Sequence, residues 1–565
     1  MSAWIVVATC VVALVMSFQA SPARAEGDPN GSKTGVAADA QGPGGALIPS
    51  EPTDKAASDY AQKKADYDKF MAQMDKEPVA KAMADGIGQN RIAINLVWLL
   101  VTGFLVMFMQ AGFAMVEAGF CRKKNAAHVM MTNFMIYPIG MLGFYICGFA
   151  LMFGAVGALG VLGGTSPLTA GTEVGIPGPN GATLGFFAWN PSAFFLGKGV
   201  YDVGVFAFFL FQMVFMDTTC TIPTGAMAER WKFSAFVVYG FFISTIIYPI
   251  FGNWVWGGGW LSQLGKAFGL GNGAADFAGS SVVHMVGGFA ALAGAIALGP
   301  RIGKYGPNKT PNVLPAHNLP MAMIGTFILA FGWFGFNPGS MLGASGAGNL
   351  RIGVVATCTM LASATGAVGA MLYWWARYKK PDPSMCVNGM LAGLVAITAP
   401  SGWVDSMGAC IIGLVAGILV CIAVPVVEKA GVDDPVGAFS VHGVCGAWGV
   451  LSVGLFGDGT FGGGLNGVSS NVTGLFYGGG MGQLMAQCID VVVCAIWSFS
   501  VAFVFFKIQE KVMGIRPSKE DEIAGLDLPE MGVLAYPEDV VHVGSLSGSG
   551  SESSRPAGVG VMSGA

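Results

Sequence analysis

Long apolar runs, each close to the length that crosses a lipid bilayer, follow one another along most of this chain. A helix that crosses a hydrocarbon core of ~30 Å needs about 20 apolar residues. Backbone groups inside a bilayer must be paired within the protein, which favours helices for runs of this length. The eleven runs lie at 92–119, 129–156, 200–227, 234–256, 277–299, 318–339, 352–376, 385–400, 406–428, 439–457 and 483–509. The pattern predicts an all-α polytopic membrane protein with eleven transmembrane helices, which we number span 1 to span 11.

The composition agrees with this class and excludes several others. Hydrophobic residues make up 53% of the chain and charged residues only 11%, whereas soluble domains carry roughly 25% charged residues. The 86 glycines fit membrane helices that approach each other closely at small residues. No basic block indicates a nucleic-acid partner. The 11 cysteines show no C-x-x-C spacing, so neither a disulfide framework nor a zinc site is expected.

The amino terminus reads as a targeting segment followed by a polar extension. An apolar run at 1–18 precedes the small-x-small pattern that ends at Ala25, although the usual positive residues before the run are missing. We therefore predict a cleaved signal peptide at 1–25, with an uncleaved anchor as the alternative. Residues 26–90 are polar and charged, and we expect them to form an external segment with a helix between Asp54 and Ala84.

Positive residues in the short loops predict how the chain is oriented, because Lys and Arg are enriched on the cytoplasmic side. They follow the odd-numbered spans, at Arg122, Lys123, Lys124, Arg230, Lys232, Arg301, Lys304, Lys309, Arg377, Lys379 and Lys380. The alternate loops carry few, with Lys198, Lys266 and Arg351 as exceptions. We expect an external amino terminus, in agreement with the signal peptide, and a cytoplasmic carboxyl terminus. This arrangement fits a multi-pass protein of the inner (plasma) membrane.

Two segments share the pattern D-x-x-G-x-x-x-V-H, one at 276–284 and the other at 434–442. Eight helical residues rise ~12 Å, so each histidine approaches the midplane of a ~30 Å slab. Span 5 runs inward and span 10 outward, which predicts two antiparallel five-helix halves, about 91–300 and 316–458, plus a last helix at 483–509. Inverted repeats of this kind hold the transported species near the midplane. We therefore expect His284 and His442 to meet there.

Histidines at this depth have three interpretations: metal ligands, a proton relay or hydrogen-bonded core residues. A metal site would need further ligands, but His128 and His317 flank cytoplasmic loops and His542 lies in the tail. A core role is commoner for a single histidine, whereas two at symmetric positions favour a function. A neutral imidazole has one donor and one acceptor nitrogen, so a bonded pair can still bind a small polar molecule. We expect no metal and no other cofactor.

Aromatic side chains form a second group near the outer face. Phe211 and Phe215 lie at i and i+4 on one face of span 3. Trp256 ends span 4 at the outer face, and Phe336 and Ser340 end span 6 at the same face. Aromatic faces bind a cation with ~2 kcal/mol or more when it is desolvated. Together these residues predict a site for a small cation, although each aromatic alone is typical of an interfacial belt or core.

These motifs resemble those of the ammonium transporters, over about Ile92 to Tyr536. The most specific are D-F-A-G at 276–279 before His284, G-F-N-P-G-S at 335–340, A-E-R at 228–230, and D-P at 434–435 before H-G-V-C-G at 442–446. The resemblance implies a transmembrane ammonium transporter, not an enzyme, that assembles as a homotrimer in which each subunit has its own pore.

The resemblance also implies roles at the outer face. Phe211, Trp256 and Ser340, with Phe215 at the base, look like the external ammonium recruitment site. Asp276 looks like the acid that supports this site, although a helix cap is an equally physical role for it.

Deeper in the protein, Phe215 and Phe336 look like the stacked gate of the family. His284 and His442 look like its twin pore histidines. The resemblance thus implies that ammonium binds outside and loses its proton, and that ammonia crosses an apolar pore. Net transport is then electrogenic if the proton follows by another route. An ion at the midplane would be far costlier than neutral ammonia.

The transmembrane domain is expected at 91–512 and a cytoplasmic tail at 513–565. G-I-R-P at 514–517, the acids at 520–522 and Tyr536 look like the family's regulatory segment, which engages a PII-type signal protein. The Gly/Ser-rich end after about 540 reads as disordered.

Two acids depart from simple expectations. Asp217 stands where an uncharged residue is expected in the family, and its helical angle of ~200° from Phe215 turns it away from that ring. We favour a structural or pairing role for it. Glu117 lies near the inner end of span 1, where it could reach solvent or bind Lys123.

Two rival functions stay open at this point. One is an ammonium sensor with little flux, and the other is a channel for a neutral gas or water. The sensor is disfavoured because no output domain is seen after Tyr536. The neutral channel is disfavoured because it would not need a cation site.

Overall fold

A computed structural model describes most of the chain between residues 51 and 537. The exceptions are 53–54, 56–57, 157–159, 163–170, 198–201, 347–348, 463–467 and 469. The predicted signal peptide at 1–25 and the predicted disordered end after about 540 lie outside the described residues.

All eleven predicted runs form helices. Ten of the helices in the described part are long and apolar enough to cross a membrane. In chain order, leaving out span 8, they are Pro78–Phe120, Lys123–Phe153, Val203–Met227, Phe233–Val255, Ser280–Leu298, Leu319–Gly339, Asn349–Tyr378, Ser406–Lys429, Phe439–Phe456 and Gly482–Met513. Span 8 is the shorter apolar helix Pro383–Thr398. The predicted all-α polytopic class is therefore confirmed.

Span 1 is much longer than predicted. Its helix of 43 residues begins at Pro78 and crosses position 90, where we expected the external segment to end. A separate helix, Tyr60–Met74, precedes it. The single helix expected between Asp54 and Ala84 is wrong, because proline suits the first position of a helix and disfavours helix before it.

A small β-hairpin between spans 2 and 3 was not predicted. Its strands, β1 at Thr172–Pro177 and β2 at Thr183–Trp189, pair antiparallel. Asn180 and Gly181 in the turn have φ of 54° and 67°, values that an Asn-Gly pair adopts readily. The Trp254 indole donates to the Phe186 carbonyl over 2.7 Å, so the hairpin packs on the end of span 4.

The two halves meet through close contacts between equivalent spans. A Cβ at Gly288 of span 5 would lie 2.3 Å from the nitrogen of Gly443 in span 10. A Cβ at Gly112 of span 1 would lie 2.9 Å from the carbonyl oxygen of Gly325 in span 6. Small residues permit this approach of helix backbones. Spans 5 and 10 are thereby adjacent at the centre of the protein.

Charged loops lie together on one face, which we call the inner face. Glu229, after span 3, bonds Arg122 from the loop after span 1 and Arg301 from the loop after span 5. Arg301 also bonds Asp433, which precedes span 10. These are loops that the positive residues assigned to one side of the membrane.

Candidate functional site

The first D-x-x-G-x-x-x-V-H segment forms a capped turn at the start of span 5. Gly279 has φ of 122°, a conformation that favours glycine. The Asp276 carboxylate accepts the backbone N–H groups of Gly279 to Val282 at 2.7–3.0 Å and the Ser281 hydroxyl at 2.8 Å. Asp276 therefore caps the helix, the second role that its sequence position allowed.

The second segment repeats this construction at the start of span 10. Gly437 has φ of 77°, and the Asp434 carboxylate accepts the N–H groups of Gly437 and Phe439 at 3.0 and 2.8 Å. Each cap is followed by a π-helical turn, Ser280–Met285 in span 5 and Phe439–Val444 in span 10. The sequence repeat is thus also a structural repeat.

The two π-helical turns direct their histidines at each other. The Nδ1 atoms of His284 and His442 lie 3.1 Å apart. His284 is fully buried and its Nε2 has no hydrogen-bond partner, while His442 is 6% exposed. No group of three or more His, Cys, Asp or Glu side chains in the described part of the chain is arranged to hold a metal ion. The geometry leaves a free ring edge for a small polar molecule.

Span 6 packs an aromatic wall against the histidine pair. Trp333 and Phe336 stack on the His284 ring with centroids 5.4 and 5.5 Å away. The Trp333 indole donates to the Thr398 hydroxyl over 3.0 Å, which fixes its orientation. Sequence reasoning missed Trp333, although its spacing of three residues from Phe336 places both on one helix face.

The other aromatic candidates continue from Phe336 as one cluster. The Phe215 ring lies 4.2 Å from Phe336, 4.7 Å from Phe211 and 6.1 Å from Trp256, measured between ring centroids. The Trp256 indole donates to the Asp276 carbonyl oxygen over 2.7 Å. All four rings are buried. The cap at span 5 therefore also positions the outermost ring of the cluster.

Ser340 lies beside this cluster at the end of span 6. Its hydroxyl donates to the Phe336 carbonyl over 3.0 Å and is buried. The preceding Gly339 touches Phe211, since a Cβ there would lie 2.8 Å from the phenyl ring. Because its proton is already donated, the Ser340 oxygen offers lone pairs to a ligand that carries N–H groups.

A cavity of about 30 Å³ lies on the other side of the histidine pair. His442 and Glu117 both line it, and most of the remaining wall is apolar, including Phe113, Leu329 and Val441. Glu117 is 3% exposed and bonds Asn133 and Thr224. The expectation that it reaches solvent or Lys123 is wrong, because the neighbouring helices cover it.

Asp217 is also covered, on the same helix as Phe215. It is 2% exposed, and its Oδ1 has no hydrogen-bond partner. The sequence suggested a structural or pairing role for this acid, but it did not predict that the acid would be buried with a free oxygen.

A buried ion network holds the inner face. Burial by itself would raise the pKa of Asp433, but the Arg301 hydrogen bonds and the charges of Arg230 and Arg301 hold that pKa well below its usual range. Burial by itself would lower the pKa of Arg301, but its hydrogen bonds to Asp433 and the charges of Glu229 and Asp433 raise that pKa above its usual range. Asp433 and Arg301 therefore stay ionised at neutral pH, and their ion pair ties the loops of both halves together.

The tail packs against this network. Arg516 bonds Glu522 at 2.8 Å, and the Asp527 carboxylate accepts the backbone N–H of His128 over 2.9 Å. The Tyr536 hydroxyl lies 3.0 Å from Nε2 of His317. The tail motifs therefore lie on the inner face. Glu522 of the tail contacts Lys124 in the loop after span 1 and Ile302 in the loop after span 5.

Comparisons with known proteins agree on one family. The sequence profile described as the Ammonium Transporter Family matches residues 97–536. The chain is 46% identical to ammonium transporter Amt2 of Archaeoglobus fulgidus over 471 residues, covering 82% of this chain and 93% of that one.

Solved structures give the same result. A protein titled "Sensor Amt Protein" has a TM-score of 0.65 and 37% identity, covering 78% of this chain and 98% of that one. Candida albicans Mep2 has a TM-score of 0.64 and 29% identity, covering 79% of this chain and 91% of that one.

Proposed function

Since the chain belongs to the ammonium transporter family and is an ammonium transporter, not an enzyme, we propose how its residues carry the substrate. Ammonium binds at the outer aromatic cluster, loses its proton, and crosses the centre as ammonia past His284 and His442. The observation that carries this proposal is the 3.1 Å contact between the two Nδ1 atoms, together with the free Nε2 of His284.

The outer site suits a small cation with N–H donors. The faces of Trp256 and Phe211 supply cation–π attraction, which is strongest when the ion is stripped of water. The lone pairs of Ser340 accept one N–H group. Asp276 does not need to touch the ion, because its carboxylate is occupied by the cap and its carbonyl oxygen orients Trp256.

The gate favours loss of the proton before passage. Phe215 and Phe336 lie 4.2 Å apart, centroid to centroid, which excludes a hydrated ion between the rings. Beyond them, a bare cation would lose its water without gaining a counter-charge from the ring walls, which is prohibitively costly. Ammonia carries no net charge and loses only hydrogen bonds.

The histidine pair replaces those hydrogen bonds. One Nδ1 must donate to the other, so the two neutral rings have opposite tautomers. One Nε2 is then an acceptor and the other is an N–H donor. Ammonia has three N–H groups and one lone pair, so it can donate to the first ring and accept from the second.

The assembly and location follow from the family resemblance. We propose a homotrimer in the inner (plasma) membrane, with the amino terminus outside and the tail in the cytoplasm. The tail contacts the inner-face loops. Together, the tail and these loops form the surface on which a PII-type signal protein would bind.

A sensing role is the second candidate, because one structural neighbour is titled a sensor and the chain covers 98% of it. Current recordings on protein reconstituted into liposomes separate the functions. The proposed transport predicts a saturable inward current when ammonium is added outside and none from protein-free liposomes. The absence of a current from folded, correctly inserted protein contradicts the proposal, and swelling by a neutral solute would then indicate a channel.

A further inference from the structure

Glu117 places a carboxyl group beside the pore on the inner side of the histidine pair. It lines the cavity of about 30 Å³ whose wall also contains His442. That volume is close to the space of one water molecule, and hence to that of one ammonia or ammonium. Whatever leaves His442 in the inward direction enters a chamber that contains an acid.

The immediate partners of Glu117 are neutral. Asn133 donates to Oε2 over 2.7 Å, and the Thr224 oxygen lies 2.9 and 2.8 Å from the two carboxyl oxygens. The nearby charged group is another acid, Asp434, whose own oxygens accept the cap bonds of span 10. Within the described part of the chain no Lys or Arg side chain bonds Glu117, so an ionised Glu117 would favour a cation from the pore.

The hydrogen bonds around Glu117 fit two protonation states. The Thr224 hydroxyl lies 2.5 Å from the Thr221 carbonyl oxygen as well as within reach of Glu117. It has one proton, so it donates to Glu117 when that group is ionised. When it donates to Thr221 instead, a protonated Glu117 can donate to the Thr224 oxygen. The proton on Glu117 can therefore change without a large rearrangement.

Asn133 is held rigidly in the orientation that serves Glu117. Gln110 donates to the Asn133 carbonyl over 2.6 Å and to the Thr221 hydroxyl over 3.0 Å. Thr221 in turn donates to Oδ1 of Asn133 over 3.1 Å. The Asn133 amide nitrogen therefore donates one N–H to Glu117 and the other to the Val129 carbonyl over 3.0 Å. The bond to Glu117 stabilises the carboxylate once it forms.

We propose that this cavity is an inner ammonium site in which Glu117 returns a proton to ammonia. The lone pair of ammonia takes the Glu117 proton, so that an N–H bond forms as the O–H bond breaks. The carboxylate then holds the ammonium ion until it leaves, and a proton from inner-face water restores the acid. This step rests on the proposed passage of neutral ammonia.

The test uses Glu117→Gln, which keeps the shape but cannot give a proton, and Glu117→Asp, which can. Glu510→Gln is the matched control, since Glu510 is an exposed acid paired with Lys507 at the end of span 11. We expect the ammonium current to fall about a hundredfold in the Gln variant, at the lower end of what a positioned acid supplies. The Asp variant should retain an intermediate current and the control a full one.

Infrared spectra of the reconstituted protein report the proton itself. Added ammonium should remove the absorption of one protonated carboxyl group in the parent and in the control, but not in the Gln variant. Quenching of Trp256 fluorescence by ammonium in all variants verifies that the outer site is folded. A parent-like current in Glu117→Gln overturns the inner site, and so does a carboxyl absorption that ammonium still removes in that variant or fails to remove in the parent. Loss of the quenching in the parent instead overturns the proposed outer site.

Discussion

The Nδ1 atoms of His284 and His442 lie 3.1 Å apart, although the two residues are separated by 158 positions in the sequence. The contact arises because each histidine lies in a π-helical turn that follows an Asp cap and a glycine with positive φ. The two copies of this arrangement belong to opposite halves of the protein. The centre of the pore is thus formed by two copies of the same local structure.

The caps should differ in their contribution to stability. Both acids use both carboxylate oxygens, but Asp276 accepts five hydrogen bonds, whereas Asp434 accepts those of the Gly437 and Phe439 N–H groups. Asp276→Asn should cost about 3 kcal/mol and Asp434→Asn about half of that, because hydrogen bonds to a charged group are the stronger ones. Thermal unfolding in detergent measures both. Equal losses would show that the cap bonds of Asp276 are not the main source of its effect.

Trp256 should set the affinity of the outer site. Trp256→Leu removes the indole face, worth about 2 kcal/mol for a desolvated cation, so half-saturation of the current should need about thirty times more ammonium. Titration of the current with ammonium measures this. Trp254→Phe is the control, because Trp254 packs on the hairpin. An unchanged half-saturation in Trp256→Leu would remove this residue from the site.

The inner-face network should make the protein sensitive to acid. The pKa of Asp433 is lowered in the folded protein, so its stabilising effect is complete above the unfolded value of about 4. It is lost as the pH falls through the lower folded value.

Asp433→Asn should cost about 3 kcal/mol at neutral pH, since it leaves buried Arg301 with fewer partners. Between pH 4 and more acidic buffers, the melting temperature of Asp433→Asn should fall less than that of the control Glu510→Gln. A variant with the parent's acid profile would indicate that other carboxyls dominate.

Asp217 should be dispensable for folding. Its buried Oδ1 has no hydrogen-bond partner, and a buried carboxyl without partners is unfavourable. Asp217→Asn should therefore leave the melting temperature unchanged or raise it. Asp405→Asn is the comparison, because Asp405 caps span 9 through Gly408 at 2.7 Å and its loss should cost about 1 kcal/mol. A clear destabilisation by Asp217→Asn would contradict this prediction.

The sequence predicted what depends on local pattern. Long apolar runs must be helical in a bilayer, so the spans followed directly, and the D-x-x-G-x-x-x-V-H repeat located the paired histidines. The hairpin was missed although Gly178-Pro179-Asn180-Gly181 is a turn signal. The start of span 1 was not predicted, because the helix begins at Pro78 with polar residues that precede the apolar run.

Other features depend on tertiary contacts that no short pattern encodes. Glu117 reads as an acid near a helix end, and only the packing of spans 1, 2 and 3 buries it beside the pore. The stacking of Trp333 on His284 likewise requires span 6 to lie against span 5. From the sequence, Asp276 could either support the cation site or cap a helix. The positions of the backbone N–H groups that it accepts show that it caps span 5.

We propose that the paired histidines pass ammonia and exclude bare ions. The most direct measurement is the current of reconstituted His284→Ala/His442→Ala protein in ammonium and in potassium, with His317→Ala as a control outside the pore. We predict that the parent and the control conduct with ammonium but not with potassium, and that the double variant conducts with both. Unchanged discrimination of ammonium over potassium in the folded double variant would show that the histidines do not set this selectivity.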